Sequence, residues 1–147
     1  MKVFIDCEYN SFGGDLITMA LVTMDGREPY AQVPIDRDTI HPWVVENVIP
    51  VIDAEGTDAK MLGHLELTQA IEAFLAIYDE VHIIADWPDD IRFFCQYLIT
   101  GPGTRIDTPP LTMEVRRDID AVSDVPHNAL LDARAIRYEY CEVTDND

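Results

Sequence analysis

Over residues 2–9 apolar and polar positions alternate: Val3, Ile5 and Cys7 fall on one side of an extended chain, Phe4, Asp6 and Glu8 on the other. That period of two predicts a strand. Residues 10–14 are turn formers, and residues 16–24, rich in apolar and β-branched side chains, predict a second strand. Asp25-Gly26 signals a hairpin into a third strand over 29–35, completing an antiparallel meander. Pro42 stands where a first helical turn tolerates proline, so a short helix runs through Val44, Val45 and Val48 until Pro50 closes it. Residues 53–63 read as a loop. Beyond them Leu67, Ile71, Phe74, Leu75 and Tyr78 make one apolar helical stripe. Residues 81–85 form a short apolar run of the kind found in buried parallel strands. It ends in a cluster of acids and Pro88, after which Ile91, Phe94, Cys95 and Leu98 mark a helix stopped by Gly101-Pro102-Gly103. Residues 104–110 read as loop, 111–115 as a last strand, 128–141 as a final helix and 142–147 as an acidic, frayed tail.

A meander followed by strands alternating with helices predicts an α/β fold, a mixed sheet covered by helices. Active groups in such sheets gather at strand ends and helix starts. The 147 residues suit a single domain over 1–141, and a hydrophobic fraction of 48% excludes intrinsic disorder. Charge changes the picture more. With 28 acidic against 10 basic residues, the net charge of -18 excludes a protein that holds nucleic acid by blanket electrostatics. Any such contact must be local. No apolar run is long enough to span a bilayer, and Asp6 and Glu8 interrupt any signal-peptide core, so a cytoplasmic protein is expected. Cys7, Cys95 and Cys141 are widely spaced and read as small hydrophobes of a reducing compartment.

Three constellations of acids carry candidate chemistry. Asp6 and Glu8 share one face of the first strand, where two carboxylates repel unless a cation lies between them. Asp86, Asp89 and Asp90 follow the strand over 81–85, where they either cap the next helix or meet the first pair. His127 precedes the last helix in P-H-N-A-L-L-D-A, and Asp132 lies about one turn inside it among Ala129, Leu130, Leu131 and Ala133. A charge on such an apolar stretch is costly unless paired or metal-bound.

Together the three segments resemble the DEDDh family of 3′-to-5′ exonucleases. The first motif, D-x-E, is Asp6-Cys7-Glu8; the second runs from Ile83 to Phe94 through Asp86, Asp89 and Asp90; the third, H-x-A-x-x-D-A, is His127 to Ala133. F-I-D-C-E-Y with L-I-T-M-A-L-V, D-G-R-E-x-Y at residues 25–30 and W-V-x-x-x-V-I-P at 43–50 resemble the small stand-alone mycobacterial-type exoribonucleases. The second motif departs from the family, placing Asp86 where asparagine is usual.

The resemblance implies a ribonuclease H-like fold and two divalent ions, Mg²⁺ or Mn²⁺, held by Asp6, Glu8, Asp90 and Asp132, with Asp86 as the alternative to Asp90. It implies His127 as general base on the attacking water and release of nucleoside 5′-monophosphates from a single-stranded RNA 3′ end. Phe12, Trp87 and Phe93 are candidates to stack on a terminal base, and Arg92, Arg134 and Arg137 to meet phosphates. Two other readings stay open: a single-stranded DNA exonuclease, and a non-catalytic acidic protein that mimics nucleic-acid charge. The meander edge and the apolar Trp43 helix could pair two copies as a homodimer.

Overall fold

The alternation at the start of the chain produces strand β1 (Lys2–Tyr9), whose Val3, Phe4 and Ile5 are fully buried because layers cover both faces of the sheet. The computed structural model describes residues 1–54 and 59–145. β2 (Leu16–Thr23) is buried along its whole length, and β3 (Tyr30–Gln32) follows. Then come α1 (Pro42–Asn47), α2 (Ile49–Ile52), β4 (Lys60–Met61) and α3 (His64–Leu75). The second half holds β5 (Val81–Ala85), α4 (Pro88–Leu98), β6 (Ile99–Gly101), β7 (Thr104–Arg105), β8 (Leu111–Val115) and α5 (Ala129–Asp145). The fold is α/β: a mixed sheet in the order β4-β3-β2-β1-β5-β8, flanked by helices, with β6-β7 as a separate hairpin.

Two features of this sheet position the site. β1 pairs antiparallel with β2 but parallel with β5, and the parallel pairing runs only from Lys2↔His82 to Phe4↔Ile84. Beyond Phe4 the strands part, so Asp6 and Glu8 extend past the last rung into a gap at the carboxyl ends of β1 and β5. The helices then close on that gap. Val3, Ile5, Cys7 and Ile83 pack on one side among Leu67, Leu75, Phe93 and Phe94 of α3 and α4. On the other side Phe4 and Ile84 meet Ile136 and Tyr140 of α5, with the Phe4 and Tyr140 rings edge to face at 5.3 Å. Ala20, Ala129 and Ala133 are fully buried between β2 and α5, and their small side chains let the helix lie close to the sheet. α5 runs against β1: as Tyr140 and Ile136 cover Phe4, Asp132 comes level with Asp6 and Glu8.

Several elements depart from the pattern-based expectation. β3 is shorter than 29–35 because Pro34 has no N–H for the ladder, although Val33 N–H still donates to Ile17 O at 2.9 Å. Pro50 does not end the helix; it sits in the first turn of α2, where a missing N–H needs no partner, and the chain turns helically again. α4 starts at Pro88, so Asp89 and Asp90 belong to its first turn rather than preceding it. Tyr78 lies beyond the end of α3, and part of the expected 104–110 loop pairs as β7. The 53–63 loop contains β4, and its residues 55–58 lie outside the described ones. α5 continues to Asp145 through residues read as a tail; residues 146–147 lie outside the described ones.

Candidate metal centre

Asp6 is held where β5 has diverged, and the next main-chain N–H, that of Cys7, would have no strand partner there. Asp90 fills that role: its Oδ1 accepts from Cys7 N–H at 3.0 Å, which fastens the first turn of α4 to β1 and buries the carboxyl. Pro88 supplies the helix start that makes this possible, with Trp87 in extended conformation before it. Asp132 is fixed from the other side. His127 N–H donates to its Oδ2 at 3.0 Å and the Ser123 hydroxyl donates to its Oδ1. Asn128 accepts from Leu131 N–H at 3.2 Å and so caps α5 at the same place. His127 adopts a left-handed backbone, φ 69°, which swings its ring out of the helix line toward the sheet. Its Nδ1 lies 3.7 Å from Glu8 Oε2, and its ring stands edge-on to Trp43 at 5.3 Å.

The carboxylates converge in two overlapping sets. Oxygens of Asp6, Glu8 and Asp132 lie within 4.8 Å of one another, and so do those of Asp6, Asp86 and Asp90. Asp6 belongs to both, and Asp86 and Asp90 are brought to it together rather than as alternatives. Like charges at that distance repel by roughly 3 kcal/mol a pair at an effective dielectric near 20. Burial adds to this. Desolvation first, then Asp90, Glu8 and Asp132, hold the Asp6 carboxyl well above its usual range. Burial and Asp86 do the same to Asp90, burial and Asp132 push Glu8 up to about 8, and burial raises Asp86 and Asp132. Among the described residues, Asp6 Oδ2 and Asp90 Oδ2 are buried with no hydrogen-bond partner. Hard oxygen donors, crowded and left unpaired, are a donor set that fits a divalent cation.

That arrangement predicts an unusual pH response. The crowded carboxyls keep their protons to higher pH in the folded chain than in the unfolded one, with Glu8 moving from 4.5 to about 8. Between those values the folded state binds more protons, so stability of the metal-free protein falls as pH rises and levels off above about 8. Calorimetry from pH 5 to 8 should show the thermal midpoint declining. Saturating Mn²⁺ or Mg²⁺ should restore roughly 3 kcal/mol at about a hundredfold excess over its dissociation constant. The gain should be largest at pH 8, and an unchanged midpoint there on adding either ion would sink the metal centre.

Two clefts, of about 410 and 370 Å³, open on either side of these acids. Both are bordered by Asp6, Glu8, Trp87 and His127. The first is lined further by Tyr9, Phe12 and Trp43, the second by Asp86, Ser123 and Asp132. Phe12 stands fully exposed on the β1–β2 turn, and Trp43 and Trp87 are about half exposed at 50% and 48%. Phe93 is different: at 1% exposure, packed on Tyr9 and under Arg92, it offers no free ring face, so its expected stacking role is corrected to a core one. Of the arginines singled out from sequence, Arg92 is paired with Asp89, Arg134 with Glu28, and Arg137 donates to Thr23 O. None of the three faces the acids with a free charge.

Sequence reasoning missed Ser123, Trp43 as the neighbour of His127, and the Cys7 N–H that anchors Asp90. Trp43 and the Cys7 N–H act across long separations in the chain, and Ser123, nine residues before Asp132, stands in no pattern that marks it. A third cleft of about 380 Å³, walled chiefly by Met19, Leu21, Leu62, Leu67, Ile71 and Phe74, contains none of the expected site residues. Among the described residues no helix is long and apolar enough to cross a membrane. A search of protein-family models finds none that matches this chain, and a search of curated proteins finds no match.

Proposed function

We propose that this chain is a metal-dependent 3′-to-5′ exoribonuclease with a ribonuclease H-like fold of the DEDDh type, acting on single-stranded RNA in the cytoplasm. The observation that carries the reading is Asp6, shared by two carboxylate sets and with a buried oxygen left unpartnered. Asp6, Glu8, Asp132, Asp86 and Asp90 would hold the divalent ions, Asp6 as the member common to both carboxylate sets. Such ions, when bound, lower the pKa of water, neutralise phosphoryl charge and stabilise the leaving oxygen. His127 moves the proton. With Nδ1 held 3.7 Å from Glu8 Oε2, its Nε2 would be the nitrogen that accepts a proton from the attacking water. Trp43, edge-on to the imidazole, limits how far that ring swings. Phe12 and Trp87 offer ring faces to the terminal base without reading its identity. Polarity and the mononucleotide product rest on the motif resemblance.

The test is digestion of end-labelled single-stranded RNA and the matching DNA with Mn²⁺ or Mg²⁺, and with EDTA. The expected result is metal-dependent shortening from the 3′ end with nucleoside 5′-monophosphates released. Faster loss of DNA than RNA would move the substrate to DNA. A folded, metal-loaded protein that leaves both strands intact would leave an acidic binding protein in place of the enzyme.

A further inference from the structure

The wall between the two clefts has a cationic backing that the catalytic scheme leaves unused. Arg117 follows β8 and is exposed, with its guanidinium carbon 5.1 Å from the centre of the Trp87 ring. Its Nη1 donates to the main-chain carbonyl of Asp86. Trp87 is in turn fixed by its indole N–H, which donates to Asp89 Oδ2 at 3.2 Å. Among the described residues Arg117 forms no ion pair with a carboxylate, whereas Arg92, also beside the site, is neutralised by Asp89. In a chain of net charge -18, Arg117 stands behind Trp87, a residue that lines both clefts, and its remaining donors are free for an anionic ligand. Arg117 donates to the Asp86 carbonyl and its charge also acts on the Asp86 carboxyl, so an anion that it takes would lie on the Asp86–Trp87 side of the carboxylate cluster.

We infer that Arg117, seated on Trp87 and the Asp86 carbonyl, is a positioning residue that holds the phosphate next to the scissile one in a single-stranded substrate. This deepens the nuclease reading and rests on it. The scissile phosphate sits over Asp6, where the two carboxylate sets meet. The neighbouring phosphate then reaches the rim beside Trp87, and Arg117 is the cation waiting there. A guanidinium presents paired N–H donors that match phosphate oxygens. The contact makes the enzyme favour strands of at least three nucleotides, since a dinucleotide has only the scissile phosphate.

The experiment compares a 5′-hydroxyl RNA trinucleotide with the dinucleotide on wild type, Arg117→Gln and Arg117→Lys. Dissociation constants are measured in Ca²⁺ with the RNA checked for integrity, and turnover in Mn²⁺. Wild type should bind the trinucleotide more tightly, and Arg117→Gln should reduce that preference about tenfold, as expected for one lost charge-assisted contact. The slope of log affinity against log salt for the trinucleotide should become shallower by about 0.7. In turnover KM should rise while kcat stays within about twofold, and Arg117→Lys should recover part of the preference. An unchanged preference, or an equal loss for both lengths, overturns the assignment. Binding and turnover fail separately: a length preference that depends on Arg117 without any hydrolysis supports the phosphate seat and sinks the nuclease reading.

Discussion

Replacing Asp6 with asparagine is expected, under the proposed function, to abolish RNA hydrolysis, by at least about a thousandfold, while making the metal-free protein more stable. The two effects share one cause. Asp6 sits in both carboxylate sets and has a buried oxygen with no partner, so its charge is useful only when a cation is present. Without metal the folded state carries the repulsion described above, and the neutral amide removes Asp6's share of it. A gain of roughly 2–3 kcal/mol at pH 8 would raise the thermal midpoint by about 5–10 °C for a domain of this size. The same variant should lose most of the midpoint shift caused by Mn²⁺. Calorimetry of the two proteins with and without metal, beside a digestion assay, reads all three effects. A variant that is inactive but also less stable would mean that Asp6 is a structural residue, and the metal centre would have to be abandoned.

The second large effect is expected at His127. Its backbone is left-handed, a conformation that asparagine tolerates better than most residues, so His127→Asn separates the ring's chemistry from the chain's path. If His127 is the general base of the proposed mechanism, its loss should lower kcat by roughly 10²- to 10⁴-fold. The hydrogen bond from residue 127 N–H to Asp132 would survive, and the metal-induced midpoint shift should stay close to wild type. Retention of more than about a tenth of kcat would remove His127 from the proton-transfer role. Loss of the metal response would instead show that the ring organises Glu8 and Asp132.

How much of this was legible in the sequence depends on whether a signal was local. β5 falls where its apolar run is, because a strand buried on both faces has no other reason for such composition, and the partly exposed edge strand β8 also spans residues 111–115. Asp6, Glu8 and Asp132 were legible for the opposite reason: each interrupts a packing surface, and an interruption needs a partner. Asp86 against Asp90 could not be settled from spacing. It turned on where α4 begins, and Pro88 starts the helix early enough to aim Asp90 at Cys7 N–H while leaving Asp86 beside Asp6. Pro50 misled because proline ends one helix and begins another with equal ease. Phe93 misled because a ring one position along a helix from an exposed arginine can still face the core, as the rotation per residue dictates. The extension of α5 to Asp145 follows from Tyr140 packing on Phe4, a contact more than a hundred residues distant in sequence that no local composition announces.

The order in which the chain supplies its acids has a consequence for synthesis. All six strands of the main sheet are complete at Val115, yet His127 and Asp132 come later, on and just before α5. A ribosome-bound chain that has emerged only as far as β8 contains Asp6, Asp86 and Asp90 but lacks Asp132, so it carries the residues of one carboxylate set rather than two. Docking of α5 adds the second set, the histidine and the cover over Phe4 in one event. The nascent protein therefore gains its second carboxylate set late and all at once, so that, under the function proposed above, a half-made chain would not attack the message from which it is being read.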